Sequence, residues 1–295
     1  MIATGRRGNI AGKGRLASGL DLRFTTGRYE RARRRFGLYP DISTLTSSRS
    51  GAAASLNAAG VWTPFATGVQ RITDKGLFQD AAASTNRTTF NNANPTVTTG
   101  VSGTVALVSD TVALAAAGLA SLVSSGQVFK IDNSGGGSTI FTTFPGGTAN
   151  TSQHTVSAWV RMGAGTSRIT LDAGPFYSPA ITSGSYSRVS ATGTPGSTGS
   201  RFVMETQANS VTYLILQQLE QAATASSPIL TTSAAVTRSV DVNTVTVPPG
   251  CTTWLATYSG GTTATGAVTP GATFDFGPAS AGAWIGGHLE RLQIY

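Results

Sequence analysis

Residues 154–162 read HTVSAWVRM, and their alternation decides the fold class. Val156, Ala158, Val160 and Met162 fall on one face of an extended chain, and Thr155, Ser157, Trp159 and Arg161 fall on the other. A period of two with one apolar face is the pattern of a half-buried strand. Working outward, runs of the same kind recur at 104–109, 127–132, 138–144, 167–172, 185–190, 200–206 and 211–220, each bounded by Gly, Ser, Thr, Asn or Pro. Eight short strands separated by turn signals predict an all-β protein, a two-sheet sandwich of the jelly-roll type. Further strands are expected at 244–247, 252–258, 273–276 and 288–294, while 111–125 (TVALAAAGLASLVSS) also fits a short helix.

Composition agrees with this reading. The chain has 295 residues, 36 of them Gly, with 40% apolar and only 12% charged residues, about half the usual globular share of charge. What charge there is lies unevenly. Residues 1–35 hold ten of the 21 Lys and Arg and two of the 13 acids, which accounts for the whole net charge of +8. The remaining eleven basic and eleven acidic groups leave residues 36–295 neutral. The expected organisation is a basic N-terminal arm (1–40), a loop-rich lead-in (41–100), a jelly-roll sandwich (101–236) and a C-terminal β segment (237–295). The arm reads as extended and ordered only against a partner, with RYERARRRF (28–36) fitting one or two helical turns. Arg6, Arg7, Arg15, Arg28, Arg31, Arg33, Arg34 and Arg35 are its candidate anchoring residues. An acidic protein socket, a nucleic acid or an acidic membrane would each complement it. Its aromatics, Phe24, Tyr29 and Phe36, suit a protein pocket as well as base stacking. The C-terminal segment is too small for a private core, so it is expected to pack on the sandwich or on a neighbour.

Trp159 admits two readings. A second layer or a neighbouring subunit covers it, or it is a sugar platform, because aromatic faces pack on the apolar C–H faces of pyranose rings. On the second reading the carbohydrate-binding set is Trp159, Arg161, Phe176, Tyr177 and Tyr186. Phe176 and Tyr177 lie in GPFYSP (174–179), where flanking prolines hold the rings at low entropy cost.

The strand at 211–220 ends in a polar group and crosses a flat linker to a single Arg: LILQQLEQAATASSPILTTSAAVTRSVDV, residues 214–242. Alternation puts Gln218 and Glu220 on one face with Leu214 and Leu216. Glu220 and Arg238 either tie the linker back or are ordinary solvated charges. Gln218-Leu219-Glu220, Ser227-Pro228-Ile229, Thr231-Thr232, Val236-Thr237-Arg238 and Asp241 together resemble a segment recurring in virion proteins of tailed bacteriophages, prophages and gene transfer agents. There the proline follows the isoleucine rather than preceding it. Asp21-Leu22, Phe24-Thr25-Thr26-Gly27, Gly76-Leu77-Phe78 and Thr85-Asn86 are similar to the lead-in of the same proteins. The resemblance spans residues 20–240. It implies a head spike or tail fibre whose jelly roll is like those of carbohydrate-binding modules. It also implies a symmetric homo-oligomer, a trimer or at a fivefold vertex a pentamer, joined to other virion proteins through residues 1–36.

Enzymatic and metal chemistry find little support. There are two histidines, His154 and His288, and one cysteine, Cys251, so neither a disulfide framework nor a cysteine-built zinc site is expected. DNSGGGST (132–139) lacks the Gly-Lys-Ser/Thr of a phosphate loop and reads as a hairpin. Asp172, Glu205 and Glu220 are carboxylates that nothing in the sequence pairs for glycoside hydrolysis. Asp132, Asn133 and Asp172 are the only candidates for a loop calcium. No cofactor is expected and the chain is not read as an enzyme. No apolar run follows the N-terminal arginines and 104–125 is interrupted by Asp110, so neither a secretory signal nor membrane insertion is expected. The sequence-level expectation is a virion protein assembled in the bacterial cytoplasm, with host polysaccharide and other virion proteins as partners and nucleic acid disfavoured. The alternative is a purely structural decoration, collar or baseplate protein.

Overall fold

The computed structural model describes residues 19–31, 34–37, 45–80, 82–88, 98–99, 104–144, 147, 151–172, 174–195, 200–232, 234–277 and 287–295. The fold is all-β. In chain order it begins with β1 (Leu20–Arg23), a 3-10 turn at Phe24–Thr26, β2 (Arg28–Arg31), β3 (Arg34–Gly37), β4 (Leu45–Ser48) and β5 (Ala53–Leu56). Then come β6 (Trp62–Phe65), β7 (Arg71–Thr73), β8 (Gly76–Phe78), β9 (Ser84–Asn86), β10 (Thr98–Thr99) and β11 (Thr104–Ser109). Helix α1 (Thr111–Ala116) precedes β12 (Gln127–Asn133), β13 (Ile140–Thr143), β14 (His154–Ala164), β15 (Ser167–Leu171), β16 (Phe176–Tyr177) and β17 (Ser187–Gly193). The chain closes with β18 (Phe202–Thr206), β19 (Ser210–Glu220), β20 (Val236–Arg238), β21 (Val242–Thr246), β22 (Thr253–Tyr258), β23 (Thr263–Ala267), β24 (Thr273–Asp275) and β25 (His288–Ile294).

Two compact units divide the described residues. The first takes those of Met1–Thr46, Ile72–Phe78 and Val242–Tyr295, and the second takes Ser47–Arg71 and Gln79–Asp241. This corrects the expected domain order. Leu20–Arg31 and Arg34–Gly37 are not part of an extended arm, and within 28–36 the described residues, 28–31 and 34–36, are strand rather than helical turns. β1 pairs antiparallel with β25 and with β2, which pairs with β3. The reason is burial. Leu20 and Leu22 alternate into a core with Phe24, Tyr29, Leu77, Trp254, Tyr258, Leu289, Leu292 and Ile294. The N-terminal strands therefore supply the apolar mass that residues 237–295 lack, and Trp254 is buried within its own unit. Asp21, on the opposite face of β1, is held by a bidentate pair from Arg291, whose Nε and Nη2 donate at 2.7 and 2.6 Å. Of the anchoring candidates, Arg6, Arg7, Arg15 and Arg33 lie outside the described residues. Arg28 and Arg31 lie on β2, and Arg34 and Arg35 on β3, the edge of this sheet.

The second unit contains two five-stranded antiparallel sheets, ordered β11-β12-β19-β14-β17 and β10-β13-β18-β15-β16. Their inner faces share one core. Val156, Ala158, Val160 and Met162 come from β14, as alternation predicts, and meet Ile169, Leu171, Phe202 and Met204 of the other sheet. The strand reading is matched closely at 104–109 and within three residues elsewhere in this unit. β19 departs from simple alternation. It carries a bulge opposite Ala158, where the register jumps from Ser157↔Gln218 to Trp159↔Ile215, and Leu216 there has φ 55°. After the bulge the alternation inverts. Leu214 and Leu219 both enter the sandwich core, while Ile215 and Leu216 face a separate apolar layer. That layer covers the outer face of the first sheet with Ala54, Leu114, Leu119, Leu122 and Val123.

Candidate functional site

The outer face of the β11-β12-β19-β14-β17 sheet is occupied. Trp159 is 5% exposed; Trp62 meets it edge-on at 5.7 Å and the Arg188 guanidinium lies 4.7 Å over it. The second-layer reading of this ring holds, and its reading as a surface sugar platform does not. Arg161 and Tyr186 also turn inward. Arg161 Nε and Tyr186 Oη both donate to Asp110, at 2.7 and 2.8 Å, and the Arg161 guanidinium stacks 3.7 Å from the Tyr213 ring. Burial, then the hydrogen bond to Asp110, drives the Tyr186 hydroxyl well above the usual phenol range. These groups pin the start of α1 to the sheet.

The other sheet offers a different face. Ile140, Ile169 and Met204 point into the core, so the alternate positions Phe141, Arg168 and Glu205 point outward. Register places Phe141 opposite Glu205 and Glu205 opposite Arg168; Tyr177 on β16 pairs with Thr170, two residues along β15, and meets Arg168 diagonally. Arg168 Nη2 donates to Glu205 Oε1 at 2.7 Å while its guanidinium stacks 4.3 Å from the Tyr177 ring. Gln207 Nε2 also donates to Glu205, and Thr139 Oγ1 donates to Gln207 at 2.9 Å. The hydrogen bond to Glu205 is the first reason that the Arg168 pKa lies above its ordinary value. Tyr177 is 37% exposed and the Arg168 side chain 38% exposed, whereas Glu205 is buried. The row crosses four strands, about 14 Å at the usual strand spacing. It sets an aromatic ring at one end, a half-buried one at the other, and a fixed guanidinium, carboxylate and amide between them.

Of the five sugar candidates, then, only Tyr177 lies on this row. Phe176 is half-buried and packs against the sandwich core. Its ring lies over Gly193, where a Cβ would collide with it. Phe141, Arg168 and Gln207 are not site candidates by sequence reasoning, and Glu205 is one only as a carboxylate that nothing in the sequence pairs for glycoside hydrolysis. The signal is nonetheless present, since each stands next to an inward residue of an alternating strand.

The segment after β19 folds back over the polar end of the first sheet. Glu220 is fully buried and accepts from Ser84 Oγ, from Ser226 Oγ and N–H, and from Gln218 Nε2. Gln218 Oε1 accepts from the Ile229 N–H at 2.6 Å. Asn86 bridges the strand and the linker, accepting from the Leu219 N–H at 3.1 Å and donating to the Ile229 carbonyl at 3.0 Å. Arg238, also fully buried, donates to the Ser227 carbonyl and hydroxyl at 3.2 and 2.7 Å and lies 3.1 Å from Asp80. Arg71 pairs with Asp80 at 2.6 Å and with Asp241, which also holds Arg49 at 3.0 Å. Burial pushes the Asp80 carboxyl up, but the Arg71 and Arg238 charges outweigh it and hold the group below the ordinary 3.8. Glu220 and Arg238 are thus tied-back groups rather than solvated charges, each with its own partners.

The remaining candidates are dispersed. Asp172 pairs with Arg201, Glu205 with Arg168, and Glu220 with the groups above, so the three carboxylates share no site. Asp132 pairs with Lys130 and Ser134, apart from Asp172. Among the described residues no group of three or more His, Cys, Asp or Glu side chains could hold a metal ion. His154 is buried with Nδ1 2.7 Å from the Ser152 carbonyl, and burial lowers its pKa. No protein-family model matches the chain, and no curated protein matches it.

Proposed function

We propose that this chain is a structural protein of a tailed-phage-type particle, a head spike or tail fibre, whose second unit is a jelly roll that binds host cell-surface polysaccharide. Strand order supports the jelly-roll part. Taking β12 to β19 as eight consecutive strands, the first, eighth, third and sixth adjoin in one sheet, and the second, seventh, fourth and fifth in the other. Two interleaved Greek keys have this order. The resemblance at 218–241 supports the virion part, because the residues that carry it are the ones that fasten the closing segment. Attachment to the particle falls in this reading to residues 1–36, with the basic strands β2 and β3, and the assembly is a homo-oligomer.

The observation that carries the sugar reading is the row Phe141–Glu205–Arg168–Tyr177 on an outer sheet face. Its rings supply apolar faces and its fixed polar groups supply hydrogen bonds to hydroxyls. Single sites of this shallow kind bind at about millimolar to micromolar Kd and gain through multivalency. Tyr177→Ala and Arg168→Ala should keep the fold and abolish retention of the oligomer on host cells and their purified surface polysaccharide. If both variants bind like the parent, the sugar face is elsewhere or absent. If the parent itself binds no polysaccharide, the purely structural reading replaces this one. The occupied outer face of the other sheet favours that alternative.

A further inference from the structure

The large sheet of the first unit ends on β23, and that edge is open. The register of β23 with β22 runs unbroken from Thr253↔Ala267 to Thr257↔Thr263. The Val268 N–H donates to the Thr252 carbonyl and the Tyr258 N–H to the Thr262 carbonyl, so the even-numbered residues of this segment turn their backbone groups toward β22. Thr263, Thr265 and Ala267 therefore turn theirs away. β23 comes last in the strand order, so these groups meet no further strand among the described residues, and all three residues are exposed. Exposed edges are normally guarded by charge, proline or a bulge. Thr263–Ala267 (TATGA) carries none of these. The opposite edge differs, because β3 carries Arg34 and Arg35.

The core face is open at the same place. Ala264, Val268 and Phe274 pack against the core of this unit yet stay only half-buried. The Trp254 side chain lies against Gly266, where a Cβ would strike it. The core thus runs out to the edge of the sheet.

A second copy of β23 fits this edge. Laid antiparallel about Thr265, each Thr265 faces its own equivalent and each Thr263 faces an Ala267. These are the residues whose backbone groups point outward, so about six backbone hydrogen bonds form. Like charges do not meet, Thr opposite Thr is a favourable cross-strand pair, and the half-buried Ala264, Val268 and Phe274 of each copy gain apolar cover. A neighbour's β3 is a poorer match, since it brings two arginines to a strand with no acid. We propose that β23 pairs with β23 of a second copy across a twofold axis, joining the two sheets into one. The inference rests on the homo-oligomer proposed above and names one of its interfaces. Such a contact calls for an even number of copies, where the resemblance alone implies three or five.

The test is the mass of the full chain by light scattering at micromolar concentration, with Thr265 varied. The parent should be a dimer or a larger even assembly. Thr265→Pro removes an outward N–H and spares those facing β22, so the mass should halve. Thr265→Lys sets like charges directly opposite each other and should do the same; it decides should the proline variant not fold. Thr265→Cys puts two thiols at the Cα separation of about 5.5 Å of a hydrogen-bonded pair, within disulfide reach. Mild oxidation should then give a covalent dimer on a non-reducing gel, which the parent, whose Cys251 is buried, does not give. A monomeric parent overturns the pairing and the homo-oligomer together. An odd-numbered oligomer, a mass that Thr265→Lys leaves unchanged, or a cysteine variant that does not cross-link overturns the pairing alone.

Discussion

Replacing Trp159 with Ala separates core from ligand surface most sharply. The ring is 5% exposed, T-stacked on Trp62 at 5.7 Å and overlain by Arg188 at 4.7 Å. Removing a buried Trp side chain typically costs about 3–5 kcal/mol, from lost transfer energy and the cavity left behind. The upper half of that range is expected here, because the aromatic pair adds about 0.5–1.5 kcal/mol beyond area and the neighbours cannot all collapse. Ala54 and Leu114 belong to the covering layer and Leu216 to the neighbouring strand β19, while β14 is fixed by partners on both sides. For a unit of this size each kcal/mol shifts the midpoint by about 2–4 °C, so a fall of roughly 8–20 °C is expected. The assay is thermal unfolding followed by near-ultraviolet circular dichroism, with the second unit's transition compared between parent and variant. Binding to cells, measured well below the variant's midpoint, should survive. A variant that melts within about 2 °C of the parent by this assay and loses cell binding would refute the reasoning and restore Trp159 as a ligand platform.

The buried ion pairs give two further expected outcomes. Asp241→Asn leaves Arg49 and Arg71 buried without their shared carboxylate and should destabilise the second unit by about 3–5 kcal/mol in urea unfolding; a loss below about 1 kcal/mol would mean the pairs are solvated. Asp80 has a folded pKa below its ordinary 3.8, so the stability it contributes is present above that value and is lost as pH falls through the folded pKa. Acid titration should therefore show the second unit losing stability progressively below about pH 4, and Asp80→Asn should flatten that loss.

Much of the fold could be read in the sequence where one physical rule dominates. β11 and β25 coincide with predicted runs to the residue, and the inward face of β14 follows alternation alone. The misreadings come from positions where composition competes with long-range pairing. RYERARRRF looks solvated and faintly helical, yet it forms β2 and β3, because Leu20, Leu22 and Tyr29 find a core that residues 242–295 complete. That partner lies at the other end of the chain, and no local pattern announces it. Trp159 illustrates the complementary limit. Alternation correctly put it off the sandwich core, but whether solvent or a second layer lay beyond could not be read from its own strand. The row Phe141–Glu205–Arg168–Tyr177 needed the register of four strands, which is set by tertiary pairing.

The bulge at Leu216 links the fold to the polar closure. Counted by twos from Leu214, an unbroken strand would carry Leu216, Gln218 and Glu220 into the sandwich core and turn Leu219 out. Burying a carboxylate there without its partners would cost several kcal/mol. One residue in the left-handed region, Leu216 at φ 55°, inverts the alternation for about 1–3 kcal/mol of backbone strain. Leu219 then enters the core, and Gln218 and Glu220 face outward, where Ser84, Ser226 and Ile229 satisfy them. The strain is thus smaller than the burial penalty it avoids. It also makes the pairing of the closing segment specific, because slipping β19 by one residue past β14 would return the carboxylate to apolar surroundings. An apolar strand ending in Gln-Gln-Leu-Glu is therefore a register-setting device, and Arg238, which shares Ser227 and Asp80 with the network that receives it, fixes the far end of the same segment.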